Sequence, residues 1–171
     1  MPIEIRALRR DDEREGFLSG DSALDLYFER HAGQNQWRHH IGVTYVAIEA
    51  GRILGFATVS PASLDAETLP DGRRRPPYPA PVLRVARLAV HVDARGAGIG
   101  RGLLRFCIEL AERMRDEVGC VGVVVDAKPG AMTFYTRLGF STIEAVQGAA
   151  TAVPAPALMF LPLGRVPLGK V

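Results

Sequence analysis

The sequence predicts a mixed α/β (α+β) domain in which a single sheet is flanked by helices, and three observations lead there. A chain of 171 residues and 18.5 kDa suits one hydrophobic core. The hydrophobic period switches several times between two and about 3.6 residues. Strand-like and helix-like stretches do not alternate regularly, so a repeating βαβ order is not expected.

Ile3, Ile5 and Ala7 alternate with polar neighbours and read as a first strand. From Asp21 the pattern becomes helical: Asp21 or Ser22 can cap, and Leu24, Phe28, Ala32 and then Asn35 or Gln36 follow at helical spacing. Residues 43–49 and 53–60 are rich in β-branched and aromatic side chains, and Ala50-Gly51-Arg52 separates them, which predicts a hairpin. Residues 61–81 hold Pro61, Pro70, Pro76, Pro77, Pro79 and Pro81. Proline cannot donate a ladder hydrogen bond, so a long loop is expected there. Residues 82–92 resume a strand. Residues 98–117 have the length of a helix, packed on one face through Leu103, Leu104, Ile108 and Ala111 and stopped by Gly119. Residues 121–126 form an apolar run of buried-strand type. Pro129 suits the first turn of a helix that Gly139 ends. Residues 140–146 and 157–163 read as two last strands, joined by the Ala/Gly/Pro-rich stretch 147–156.

Composition excludes several classes. With 47% hydrophobic and 23% charged residues the chain can bury a real core, so disorder is not its main state. Apolar runs such as 121–125 fall far short of the roughly 20 residues of a membrane span. The start, Met1-Pro2-Ile3-Glu4-Ile5, lacks the charged-then-apolar pattern of a signal peptide, so a soluble cytoplasmic protein is expected. Cys107 and Cys120 lack zinc-site spacing and read as two reduced, packed thiols. A net charge of +2 and a pI near 8.7 do not by themselves announce a nucleic-acid binder.

The chemistry concentrates in Asp93-Ala94-Arg95-Gly96-Ala97-Gly98-Ile99-Gly100-Arg101-Gly102, between a strand and the long helix. Alternate glycines let the backbone turn tightly and approach a ligand, while the helix start aims unpaired N–H groups and a partial positive charge outward. Such a place holds phosphate. A dinucleotide fingerprint needs glycine where Arg101, Leu103 and Arg105 stand, and a triphosphate loop needs Ser or Thr after Gly169-Lys170, where Val171 stands. Arg-x-x-Gly-x-Gly remains, filled by Arg95, Gly98 and Gly100; the plainer alternative is a glycine-rich turn that only joins strand to helix.

At this motif the sequence resembles the GNAT superfamily of acyl-CoA-dependent N-acyltransferases, in which the loop grips the coenzyme A pyrophosphate. Phe134-Tyr135-Thr136-Arg137-Leu138-Gly139-Phe140 is similar to the Phe-Tyr-x-x-x-Gly-Phe signature of the same superfamily, at its usual distance downstream. The resemblance implies the GNAT fold: a central mixed, mainly antiparallel sheet splayed at the acyl-CoA site. It implies acetyl-CoA as donor, with pyrophosphate at Arg95, Gly96, Ala97, Gly98, Ile99, Gly100 and Arg101. Pantetheine would lie along the backbone of Leu88, Ala89, Val90 and Val92, with Phe134 also against the cofactor. The Tyr135 hydroxyl would protonate the leaving thiolate, whose conjugate acid has a pKa near 8.5. The plainer role of these aromatic residues is packing.

A narrower likeness covers most of the chain. Phe17-Leu18-Ser19-Gly20, Leu24-Asp25, Tyr27-Phe28, Ala32, Gln36, the proline-bearing loop and Arg87-Leu88-Ala89-Val90 resemble the GNAT toxins of bacterial toxin–antitoxin modules. That resemblance implies acetylation of the free amine of aminoacyl-tRNA, a ribbon-helix-helix antitoxin and a homodimer. Tyr27 departs from the tryptophan common there, and Ile41-Gly42-Val43 stands before Thr44 where a basic residue is frequent.

The residues themselves agree with such an acceptor. A lysine amine costs about 4.6 kcal/mol to be neutral at pH 7 and an α-amine only about 1, so an α-amine hardly needs a strong base. No carboxylate announces itself as one by motif; Glu49 and Asp126 are candidates, and water could relay the proton. Arg73, Arg74 and Arg75, with Arg84, Arg87 and Arg38, are candidate phosphate contacts, the alternative being a solvated arginine run. Read as strand neighbours, His39 and His40 would point to opposite faces and leave no metal site. Trp37 could stack a base or anchor the first helix. The rival functions are acetylation of a small amine or protein N-terminus, and an acyl-CoA-binding partner protein without turnover.

Overall fold

Seven strands carry the architecture of the computed structural model, which describes residues 2–70, 77–143 and 157–164. They are β1 (Glu4–Ala7), β2 (Val43–Glu49), β3 (Arg52–Leu64), β4 (Ala80–Val90), β5 (Gly122–Ala127), β6 (Ser141–Thr142) and β7 (Ala157–Pro162). The sheet order is β1-β2-β3-β4-β5-β7-β6. Helices α1 (Ser22–Arg30), α2 (Ala32–Trp37), α3 (Ile99–Glu117) and α4 (Met132–Arg137) complete it. The contacts group into two compact units, residues 1–60 with 85–107 and residues 61–84 with 108–171.

In the first unit β1, β2 and β3 run as an antiparallel meander, with Ala7 opposite Tyr45 and Val43 opposite Val59. The expected hairpin turns at Ala50 and Gly51, whose φ values of +49° and +80° match the twist of a two-residue hairpin loop. Its core gathers Leu8, Phe17, Tyr27, Phe28, Val46, Ile53, Phe56 and Ala89. Phe28 and Phe56 stack at 4.3 Å, and Phe17 meets both edge-on. Asp21 caps α1 by accepting from the Ala23 and Leu24 N–H groups.

The helical run from Asp21 is two helices, not one. The chain bends at His31 (φ −115°), and in the second helix the Trp37 ring packs over Gly33, where a Cβ would lie 2.7 Å from it. Trp37 packs on the core and carries Arg10 over its face at 4.9 Å, the anchoring role. Gln36 then fastens α2, donating to the Leu8 carbonyl and accepting from the Thr44 N–H. His39 and His40 lie in the turn before β2, so the strand premise used for them fails; His40 takes a positive φ of 52°.

Asp12 fixes the exit of β1. It accepts two bonds from Arg6, at 2.8 and 2.7 Å, and one from the Arg9 N–H, and its side chain is only 7% exposed. The Arg6 guanidinium holds the carboxyl below the usual carboxylate range. Because the folded value is depressed, the pair stabilises the protein above the unfolded pKa of about 3.9, and that stability is lost as pH falls through the folded value. Asp12→Ala is expected to cost about 2 kcal/mol at pH 7. Urea titrations at pH 7 and pH 3 should show the gap to the wild-type protein close on the acid side.

In the second unit β7 pairs antiparallel with β5, Gly122 opposite Pro162 and Ala127 opposite Ala157, and β6 pairs with β7. Leu69, Ala80, Val82, Val124, Ile143 and Phe160 form its cluster. Gly122 is a packing requirement, since a Cβ there would come within 2.3 Å of the Phe160 ring. The expected loop over 61–81 is shorter than the prolines suggested. β3 continues through Pro61 to Leu64, a 3-10 turn follows at Ala66–Thr68, and β4 already starts at Ala80. Pro61 and Pro81 are exposed, and the Pro81 carbonyl still accepts from the Val121 N–H at 2.8 Å; only the donor is missing.

α3 buries Leu103, Leu104, Cys107, Ile108 and Ala111, as its spacing predicts. Gly119 ends it at φ +108°, with its N–H on the Met114 carbonyl, and Gly139 ends α4 at φ +98°. Of the strand expected over 140–146 the described part is Ser141–Thr142, because the Phe140 N–H still closes α4 on the Tyr135 carbonyl. Residues 144–146 and the stretch 147–156 lie outside the described residues. Cys107 and Cys120 are free and buried; burial pushes the Cys107 thiol up to about 12 and raises Cys120 as well. Among the described residues no helix is long and apolar enough to cross a membrane, and no cluster of three His, Cys, Asp or Glu side chains could hold a metal.

Candidate functional site

The glycine-rich loop occupies the first unit. β4 ends at Val90, so Val92 does not extend the strand as expected but opens a 3-10 turn, Val92–Ala94, whose first N–H bonds the Leu18 carbonyl at 2.8 Å. The turn is pinned by the His91 ring, which accepts from the Asp93 N–H, and by the Arg52–Asp93 ion pair at 2.8 Å. Gly96 and Gly98 then take φ values of +78° and +80°, conformations that L side chains resist. A Cβ at either would meet nothing within 4 Å, so the loop borders open space.

Ile99 is buried at the start of α3 and fixes the helix, while Arg95, Gly96, Ala97 and Arg101 are exposed. The first α-helical bond here runs from the Gly102 N–H to the Gly98 carbonyl, and the Ile99, Gly100 and Arg101 N–H groups precede it with no intrahelical acceptor. Gly55 lets this end of the unit close up: a Cβ on it would lie 2.9 Å from both the Ala89 carbonyl and Ile99 Cγ2. The loop therefore offers a concentration of main-chain donors at a positive helix end, beside empty space, which is what a diphosphate requires.

On β4, Ala89 is buried in the core and Leu88 and Val90 are half-buried. Arg87 lies over the Tyr27 ring at 3.6 Å, and the Tyr27 hydroxyl receives a bond from Asn35 Nδ2. Arg38 is exposed at the C-terminal end of α2. Arg95 donates to the Ser19 carbonyl, a contact the sequence did not reveal.

In the second unit Tyr135 sits on α4, 6% exposed, with Phe134 edge-on at 5.1 Å and Phe140 edge-on at 5.5 Å. These rings hold the phenol ring in place, so the packing role of Phe134 and Phe140 is real. Arg84 donates through Nε (3.0 Å) and Nη2 to the Asp126 carboxylate. A candidate RNA contact and a candidate base are thereby engaged with each other. Arg73, Arg74 and Arg75 lie outside the described residues.

Residues 40–142, more than half of the chain, match the family model for an acetyltransferase (GNAT) domain. The chain belongs to the GNAT acetyltransferase family. A tRNA-acetylating toxin of Mycobacterium tuberculosis is 32% identical over 139 residues, covering 79% of this chain and 82% of that protein. A probable toxin TacT of Sinorhizobium fredii is 22% identical over 90% of this chain and 87% of its own length. Among solved structures, AtaT complexed with acetyl-methionyl-tRNAfMet superposes with a TM-score of 0.83 at 23% identity, covering 94% of this chain and 95% of that one. The AtaTR complex bound with acetyl-CoA gives 0.76 at 24% identity, over 94% and 93%. These two likenesses give the fold, a mostly antiparallel seven-stranded GNAT sheet. As a GNAT acetyltransferase the protein takes acetyl-CoA as its donor substrate, and the open, donor-rich loop fits its diphosphate.

Proposed function

We propose that this GNAT acetyltransferase is a toxin that transfers the acetyl group of acetyl-CoA to the free α-amine of aminoacyl-tRNA and so stops translation. The observation that carries the reading is the match to the mycobacterial tRNA-acetylating toxin, which extends over most of both chains. Acetyl-CoA lies with its diphosphate on the amides of residues 95–101 and its pantetheine along Leu88, Ala89, Val90 and Val92. The neutral amine attacks the thioester carbonyl, the carbon–sulfur bond breaks, and Tyr135 gives its hydroxyl proton to the departing thiolate. Main-chain N–H groups of β4 hold the developing oxyanion, and water takes the surplus amine proton and returns one to the Tyr135 phenolate. Asp126 is not needed as a base and is occupied by Arg84.

Arg38, Arg87 and the arginines at 73–75 contact tRNA phosphates, so binding weakens steeply with salt; Arg84 stays paired with Asp126. The protein works in the cytoplasm as a homodimer and is neutralised by a ribbon-helix-helix antitoxin. The test incubates the purified protein with acetyl-CoA and a panel of charged tRNAs. N-acetylated aminoacyl-tRNA and arrest of a cell-free translation reaction are expected. Brisk acetylation of free polyamines with charged tRNA untouched would overturn the toxin reading and favour a small-amine acetyltransferase.

A further inference from the structure

Arg95 opens the Arg-x-x-Gly-x-Gly motif, yet its guanidinium turns back onto a segment 76 positions earlier in the chain, where Nη2 donates to the Ser19 carbonyl. The same group lies against Gly20: a Cβ there would sit 2.6 Å from Arg95 Nη2, and Gly20 takes a φ of +93°. The backbone bond from Val92 to Leu18 runs beside this contact, so the two segments are joined twice. Ser19 is buried and carries the connection onward. Its N–H and its hydroxyl both donate to Asp25 Oδ1, at 3.0 and 2.6 Å, and its Oγ accepts from the Asp21 N–H at 3.1 Å. Asp25 lies in the first turn of α1 and Asp21 is its cap. One polar chain therefore runs from the glycine-rich loop through Arg95 and Ser19 into the start of α1.

We infer that Arg95 is a positioning residue that locks the acetyl-CoA loop to the first turn of α1, so that filling the loop and ordering α1 are linked. The inference rests on the acetyl-CoA reading of the loop. Two glycines at positive φ leave the loop conformationally free, and anchoring Arg95 to a buried serine removes that freedom before the substrate arrives. Linkage is reciprocal: whatever a diphosphate gains from the ordered loop, α1 gains in return. Arg95 is remote in sequence from Ser19, Asp21 and Asp25 but joined to them in space.

The test measures amide hydrogen exchange at residues 23–26, with and without coenzyme A, in the wild type, Arg95→Lys, Gly20→Ala and the double variant, with coenzyme A titrated by calorimetry at several salt concentrations. Thermal unfolding checks that each variant is folded. Arg95→Lys keeps the charge that a phosphate would see but loses the planar fork. Without ligand, each single variant should exchange these amides about tenfold faster. Coenzyme A should slow them in the wild type and much less in the variants. Affinity for coenzyme A should fall in both, and the double variant should be no worse than the weaker single one. Unchanged α1 exchange in Arg95→Lys, full coenzyme A affinity in Gly20→Ala, or additive losses would each overturn the inference. Failure of the wild type to bind coenzyme A would remove the acetyl-CoA reading instead, while the ligand-free exchange would still decide the tether.

Discussion

Replacing Tyr135 with phenylalanine is expected to lower kcat by about 10²–10⁴-fold and to leave coenzyme A affinity within about twofold. The substitution removes one oxygen and keeps the ring. The ring stays between Phe134 and Phe140, both edge-on to it, so packing is retained and α4 keeps its place. The chemistry sets the position within that range. A reference phenol has a pKa near 10 and a thiol one near 8.5, so complete proton transfer to the thiolate is uphill by about 2 kcal/mol. In the proposed mechanism the phenol would help by sharing its proton as the carbon–sulfur bond lengthens, which places the expected loss toward the 10²-fold end. Steady-state rates with acetyl-CoA and charged tRNA, together with a melting curve, decide the matter. Undiminished kcat in a folded variant would remove the acid role and leave the family membership standing.

What could be read from the sequence divides along the range of the interactions involved. The Ala50-Gly51 turn, the Asp21 cap, the one-faced packing of α3 and the glycine stops at Gly119 and Gly139 are decided within a few residues of chain, and each occurs where local pattern puts it. The loop motif is local in the same way, which is why its glycines could be singled out. The bend at His31 has no mark in the pattern, because the periodicity of apolar residues continues across it undisturbed. Pro61 and Pro81 lie in strands because the ladder there needs their carbonyls or nothing from them, a property of the neighbouring strand that a proline count does not contain. Charge partners were the least legible. Arg84 and Asp126 stood as separate candidates for separate roles, and only their meeting across 42 positions shows that each occupies the other. The Arg95 contact was illegible for the same reason: Ser19 is too far away in sequence to suggest itself.

Gly98→Val is expected to weaken coenzyme A binding by about 100-fold or more, at a stability cost of only about 1–3 kcal/mol. Both figures follow from the geometry of this one residue. Its φ of +80° is one that a β-branched side chain resists, so the substitution either strains the loop or reshapes it. No atom lies within 4 Å of a Cβ at this position, so the fold has no steric objection to that first carbon. Gly122 is the opposite case. There a Cβ would collide with the Phe160 ring, and the burden of a substitution would fall on the core of the second unit. At Gly98 the burden falls on the open space proposed for the diphosphate and on the N–H groups at the start of α3, whose alignment depends on the Gly98 carbonyl accepting from Gly102. Hydrogen bonds to a charged group contribute about 1.5–3 kcal/mol each, so losing two of them reaches the stated factor. Calorimetric titration with coenzyme A beside a thermal melt separates the two costs. Wild-type affinity in Gly98→Val would mean that the phosphates are held elsewhere, and would withdraw the loop from the donor site.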